Sequence, residues 1–324
     1  MTDIDAIRRA AARLEGNVRR TPLLEDAAIN RIAGRRILMK AECLQVTGSF
    51  KARGAWNAVA ALARDDRRAA RGVIAASSGN HAQGVARAAA AHGLACTIVM
   101  PADAPPVKRS RTEAWGARVV AYDRASEDRD AVTAALGEAE GLVSIPPFDH
   151  ADVIAGQGTV GLEIAAECRA HGIDEAEVLV CAGGGGLLSG IALALEAEAP
   201  GLTARPVEPE GFDDMARSLA SGRRERNRGG AGSLCDAILT PSPGALPFPH
   251  IARLCGPGLT VTDAQALAAM RAAFDALRVV VEPGGAVALA AALTAPHLPD
   301  TVVVTLSGGN VDPALFARVV TGAA

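Results

Sequence analysis

The stretch VLVCAGGGGLLSG, residues 178–190, decides the fold class. Its first half is a short apolar, β-branched run, the composition of a strand buried on both faces. Four glycines, Gly183, Gly184, Gly185 and Gly186, then turn the chain, and LLSGIALALEAEA continues at helical spacing. A buried strand that passes through a tight turn into a helix is one half of a βαβ unit. The same alternation runs outward in both directions. RRILMKAE (35–42) reads as a strand and SFKARGAWNAVAALAR (49–64) as a helix. RGVIAAS (71–77) leads into NHAQGVARAAAAHG (80–93), and ACTIVMP (95–101) is a strand stopped by Pro101. ARVVAYD (117–123) and DRDAVTAALGEAEG (128–141) repeat the unit, and TARPVEPE (203–210) and DTVVVTL (300–306) are the last strands. The pattern predicts an α/β fold with mostly parallel sheets and helices packed on both faces.

At 324 residues the chain is long enough for two lobes. A change of lobe is expected near SIPPFDHADV (144–153), where two prolines interrupt the pattern, and another just after Lys51. SGRRERNRGGAG (221–232) reads as a mobile, solvated loop. A net charge of −3 and 3% aromatic residues leave neither a basic footprint nor stacking platforms for nucleic acid. The N-terminus, MTDIDAIRRAAARL, has no apolar signal core. The apolar run AVALAAALTA (286–295) falls well short of the roughly 20 residues that span a bilayer. Six dispersed cysteines without a C-x-x-C pair read as reduced core or site-wall thiols, so a cytoplasmic enzyme is expected.

The glycine run has three readings. Its N–H groups and the helix start behind them suit a phosphate. No lysine and Ser/Thr follow in P-loop order, which argues against a nucleoside triphosphatase. Gly184, Gly186 and Ser189 approximate a dinucleotide fingerprint, with Glu208 near the place of a ribose-binding acid, so a nicotinamide oxidoreductase stays open. A strand–helix turn with no ligand is the plainest alternative.

Other loops at strand ends carry chemistry. AASSGNHAQG (75–84) sets Ser77, Ser78, Gly79, Asn80 and His81 at a helix start, a collection of donors fit for an anion. VVVEPGGAVAL (279–289) places Glu282 before two glycines, and VVVTLSGGNVD (302–312) ends a strand in Ser307, Gly308, Gly309 and Asn310. In open α/β sheets such loops converge on one pocket at the carboxyl ends of strands. TGSFKARG (47–54) adds Lys51, one of three lysines in a chain with 30 arginines. A guanidinium stays protonated and is no amine nucleophile, so position 51 is a candidate for amine chemistry.

Taken in order, TGSFKARGAWNA, SSGNHAQG, AGGGGLLSG, VEPGGA and LSGGNVD resemble the fold-type II pyridoxal-phosphate enzymes, and within them the serine/threonine dehydratases and serine racemases. The resemblance covers the chain from about Arg20 to Asp312. It implies a tryptophan synthase β-like fold of two lobes, each with a central, mostly parallel sheet flanked by helices. The large lobe would comprise residues 1–53 and 149–324 and the small lobe residues 54–148, with no C-terminal regulatory domain. Lys51 would bond covalently to the cofactor's aldehyde and later act as the base at Cα. Phe50 would pack on the pyridine ring, Asn80 would meet its hydroxyl and Ser307 its nitrogen. Gly183 to Gly186 with Leu187 would hold the phosphate, and Glu282 would belong to the same cofactor site. Ser77, Ser78, Gly79, Asn80 and His81 would take the substrate carboxylate, and Ser78 could return a proton to Cα as racemases require. VEPEGFDD (207–214) resembles the divalent-cation site of the racemase-like branch, with Glu208, the Phe212 carbonyl and Asp214 as ligands for Mg²⁺ or Ca²⁺. A strand ending in an acid, followed by a helix capped by Asp213, is the competing account. The implied activity is elimination of water from L-threonine or L-serine by a homodimer, with serine racemase and 3-hydroxyaspartate dehydratase as alternatives. Trp56 and Cys181 depart from the smaller or different residues usual at those positions.

Overall fold

The computed structural model describes residues 2–65, 71–104, 106–229 and 232–323. In chain order the strands are β1 (Leu23–Glu25), β2 (Arg36–Lys40), β3 (Val73–Ala76), β4 (Cys96–Pro101), β5 (Arg118–Tyr122), β6 (Val143–Ser144), β7 (Ala176–Cys181), β8 (Leu202–Pro209), β9 (Leu259–Val261) and β10 (Thr301–Thr305). They form a six-stranded sheet ordered β1-β2-β10-β7-β8-β9 and a four-stranded sheet ordered β5-β4-β3-β6. Among the described strands every pairing is parallel except that of β1 with β2. The smaller sheet draws its strands from residues 73–144, and the larger from 23–40 and 176–305.

The central strands are apolar on both faces because both are covered by helices. Val302, Val303 and Val304 of β10 and Val178, Leu179 and Val180 of β7 are all fully buried. Two helices behind the larger sheet, Ala151–Ala170 and Gly186–Glu198, approach too closely for side chains at the crossing. A Cβ on Gly190 would lie 2.6 Å from the Ile154 carbonyl oxygen and from the Gly158 nitrogen.

The helix Lys51–Leu62 is anchored by buried charge. The Arg53 guanidinium is buried and donates to both oxygens of fully buried Glu42, to both of Glu163 and to Thr159. Lys40 at the end of β2 joins the network at 2.8 Å from both Glu163 and Glu167. Burial pushes Glu42 up, but the charge and hydrogen bonds of Arg53 outweigh it and hold the carboxyl below its ordinary range.

Three details depart from expectation. Pro101 is the last residue of β4, not the residue that stops it. Ser221 ends the helix Asp214–Ser221, and residues 223–229 continue outside helix and strand; Gly230 and Ala231 of the expected loop lie outside the described residues. Asp213 precedes that helix without making a side-chain cap. No helix among the described residues is long and apolar enough to cross a membrane. All six cysteines are free, and five are buried.

Candidate active site

The loops after β2, β3, β7 and β10 meet at one cavity of about 200 Å³. Phe50, Lys51, Ser77, Ser78, Gly79, Asn80, His81, the four glycines, Leu187, Glu282 and Ser307 all line it. Glu208, Phe212 and Asp214 do not.

Lys51 begins its helix at the cavity wall. The chain before it is stitched to the loop after β10: Ser49 bridges Gly308, the Phe50 N–H donates to the Ser307 carbonyl, and the Gly309 N–H donates to Gly48. Thr47 takes a left-handed φ of 63°, strained for a β-branched residue, and its carbonyl accepts from Asn310. The Lys51 ammonium donates to the Pro147 carbonyl at 2.7 Å, with no carboxylate paired to it among the described residues. Burial lowers its pKa to about 8, so a usable fraction is free amine near neutrality.

Two asparagines and Glu282 join three loops. Asn80 Nδ2 donates to Glu282 Oε1 at 2.6 Å, and Asn310 Nδ2 donates to Asn80 Oδ1 at 2.6 Å. Burial raises the Glu282 carboxyl to about 7, opposed by the Asn80 hydrogen bond. His81 Nε2 lies 2.7 Å from the Ile145 carbonyl, which only accepts, so the proton is on Nε2. Nδ1 is then a buried acceptor without a partner among the described residues, and burial drives the ring's pKa down to about 3. The His81 ring is therefore no cation for a carboxylate. The donors left in that loop are the Ser77 and Ser78 hydroxyls, the Asn80 amide and backbone N–H groups.

The glycine run is a cradle with no room for side chains. Gly185 has φ +92°, and a Cβ there would press on Ile251 and Met215 at 2.7 and 2.9 Å. A Cβ on Gly186 would sit 3.0 Å from Phe148 Cα, and one on Gly184 would collide with the Phe148 ring. The first turn of the helix Gly186–Glu198 presents N–H groups that have no intrahelical acceptor. A phosphate suits this end of the cavity, and at the other stands an amine of lowered pKa with no carboxylate partner among the described residues. The residues present therefore fit pyridoxal phosphate.

The expected cation site is a separate pair of carboxyls, Glu208 at the end of β8 and Asp214 at the start of the next helix. Glu208 is fully buried, and its two oxygens accept the Met215 and Ala216 N–H groups, each at 2.8 Å. This carboxyl, not Asp213, satisfies the start of the helix. The same bonds hold it away from the ribose role of the dinucleotide reading. Asp214 Oδ1 accepts from Asn227 at 2.5 Å, while Oδ2 is buried without a partner among the described residues. That orphaned oxygen fits a cation, and each Glu208 oxygen keeps a lone pair. Among the described residues no group of three or more His, Cys, Asp and Glu side chains gathers as a metal site.

Sequence reasoning missed several residues of the cavity. Pro147 and Phe148 lie in the segment read only as a lobe change, and Lys108, Arg129 and Asp236 carried no motif. The two prolines of SIPPFDHADV were the one available signal.

Comparison with known proteins agrees with this geometry. The family model described as pyridoxal-phosphate dependent enzyme matches residues 14–308. The chain is 41% identical over 316 residues to L-threo-3-hydroxyaspartate ammonia-lyase of Pseudomonas sp, covering 97% of each. It is 38% identical over 317 residues to serine racemase of Oryza sativa subsp. indica, covering 96% of this chain and 91% of the relative. The crystal structure of a T.th. threonine deaminase superposes with a TM-score of 0.90 at 42% identity, over 96% of this chain and 99% of that one. With a family model spanning most of its length and a cavity that fits the cofactor, the chain belongs to the fold-type II pyridoxal-phosphate dependent enzymes, in the group of ammonia-lyases and racemases.

Proposed function

We propose that the chain is an ammonia-lyase that eliminates water from L-threonine, L-serine or both, leaving an enamine that water then hydrolyses to 2-oxobutanoate or pyruvate and ammonia. The observation that carries the reading is Lys51: a half-buried amine of lowered pKa, donating to a carbonyl instead of a carboxylate, and facing a loop of hydroxyl and amide donors across one cavity. When bound, pyridoxal phosphate supplies an aldehyde for covalent attachment and a ring that draws electrons from the substrate's Cα. Gly183 to Gly186 and Leu187 would hold its phosphate, Phe50 would pack on its ring, and Asn80, Glu282 and Ser307 would meet its polar edge. Lys51, the amine beside the substrate's Cα, would take the proton from it. Ser77, Ser78 and Asn80 orient the substrate carboxylate, and the walls around Phe148 exclude water. Ser307 offers a neutral hydroxyl, which imposes no positive charge on the group it faces. That restraint favours expelling a β-hydroxyl over accumulating charge at Cα.

The lobe division at residues 54 and 149, a homodimer, a cytoplasmic location and a Mg²⁺ or Ca²⁺ bound at Glu208, the Phe212 carbonyl and Asp214 belong to the same reading. Racemisation is the second reading, favoured by Ser78, whose hydroxyl shares the cavity with Lys51.

The test is a panel of L-Thr, L-Ser, D-Ser and the 3-hydroxyaspartate isomers, with keto acid, ammonia and amino-acid chirality followed together. Keto acid from L-Thr or L-Ser, lost in Lys51→Ala, is expected. Inversion without keto acid would favour the racemase, and release from hydroxyaspartate alone would overturn the threonine/serine assignment.

A further inference from the structure

At the cavity wall, two opposite charges meet from distant parts of the chain. Lys108 lies on the helix Pro106–Glu113, which follows β4 of the smaller sheet. Asp236 opens the turn Asp236–Ile238 between β8 and β9 of the larger sheet. Lys108 Nζ is 2.7 Å from Asp236 Oδ2, and both residues line the cavity that holds Lys51. The lysine side chain is 19% exposed and the aspartate 60%, so the pair contributes little to stability and separates at little cost. Both charges are felt inside the site: at Glu282, Asp236 favours the proton and Lys108 opposes it. One more cation of the lining, Arg129, is paired with its exposed neighbour Asp130 at 2.8 Å.

We infer that the Lys108–Asp236 pair is a charge gate on the substrate, passing hydroxy-amino acids with one carboxylate and opposing those with two. The inference rests on the ammonia-lyase reading above. A substrate such as threonine needs only the hydroxyl and amide donors of residues 77–81 for its single carboxylate. A second carboxylate entering the same cavity faces the negative charge of Asp236, and the ammonium of Lys108 beside it is already neutralised. To be accepted, it must take the place of Asp236 on Lys108. The pair thus makes Asp236 a specificity-determining residue, and Lys108 the group it withholds.

The gate is tested with cofactor-loaded wild type, Asp236→Asn, Lys108→Met and the double variant. kcat/KM is measured for L-threonine and L-threo-3-hydroxyaspartate. Binding of succinate and of butyrate, a dicarboxylate and a monocarboxylate that cannot react, is followed by the shift in melting temperature. Asp236→Asn should raise the hydroxyaspartate-to-threonine ratio about tenfold, the worth of one charge-assisted hydrogen bond gained. It should also tighten succinate and leave butyrate unchanged, and Lys108→Met in the same chain should abolish both gains. A ratio and a succinate affinity in Asp236→Asn within twofold of wild type would overturn the gate. So would a gain that persists in the double variant, which would assign the discrimination to Arg129. If no variant releases keto acid from either substrate, the ammonia-lyase reading fails, and the succinate and butyrate shifts still decide the gate.

Discussion

Replacing Arg53 with methionine tests how the Lys51 helix is held. The guanidinium makes two bonds to Glu42, at 2.7 and 2.8 Å, and two to Glu163, at 2.6 and 2.9 Å. In Arg53→Met, Glu163 keeps Lys40 at 2.8 Å, but Glu42 keeps only the Thr21 hydroxyl at close range. Breaking a buried pair in this way costs about 3–5 kcal/mol, because a fully buried charge is left without its partner. The unfolding entropy of a chain this long is about 0.7 kcal/mol/K, from roughly 2.1 cal/mol/K per residue. The melting temperature should therefore fall by about 4–7 °C. Adding Glu42→Gln, which removes the stranded charge, should restore more than half of the loss. The sign with pH is also fixed. In wild type, Glu42 is held below its ordinary value, so its contribution is present above that value and is lost as pH falls through the folded one. In the variant the carboxyl is better protonated, so the gap between the two proteins should narrow from pH 7 to pH 5. Calorimetry of both forms at the two pH values reads all of this. A loss under 1 °C, or a double variant no more stable than the single one, would refute the stranded-charge account.

Three further outcomes follow from the site. The rate at which the cofactor attaches should rise with pH through an apparent pKa of about 8, because the Lys51 amine must lose its proton first; absorbance stopped-flow on cofactor-free protein measures it, and a rise centred near 10 would contradict the burial argument. Gly185→Ala places a methyl group against Ile251 and Met215 at a left-handed position, so cofactor affinity should fall by at least tenfold while Gly211→Ala, where a Cβ meets open space, changes stability but not affinity. Burial raises Asp214 to about 6 and Glu208 to about 8, so without divalent cations stability should fall as pH rises from about 4 to 8; millimolar Ca²⁺ or Mg²⁺ should reverse the fall at pH 8, and Asp214→Asn should abolish the response, both read by melting temperature.

Much of the fold was legible because its signals are local. The run VVV in β10 and the glycines after β7 state their conformation within a dozen residues, and the parallel α/β class follows from their alternation. The cavity was legible for a related reason: several loops at strand ends carry polar residues that a plain turn does not need. What stayed hidden depends on distant partners. Nothing near Lys108 or Asp236 announces that they meet, since 128 residues separate them. β1, β6 and β9 have three, two and three residues, too few for a period to show. Adjacent residues point to Asp213 as the cap of the helix that starts at Asp214, whereas the carboxyl that satisfies it comes from the end of β8. His81 counts as an anion donor by residue type, and only the Ile145 carbonyl reveals that the proton sits on Nε2 and is already committed there.

The place of β10 bears on how the protein is made. The four-stranded sheet uses one continuous stretch, so a growing chain holds all four strands once residue 144 has left the ribosome. The six-stranded sheet is different: β10, the latest of its strands in chain order, lies between β2 and β7, with partners on both sides. Until it inserts, β2 and β7 present unpaired inner edges, and Ser307 and Asn310 are absent from the cavity. From the emergence of β7 until β10 follows, the nascent chain must therefore shield a divided sheet, and the cavity lacks one of its walls.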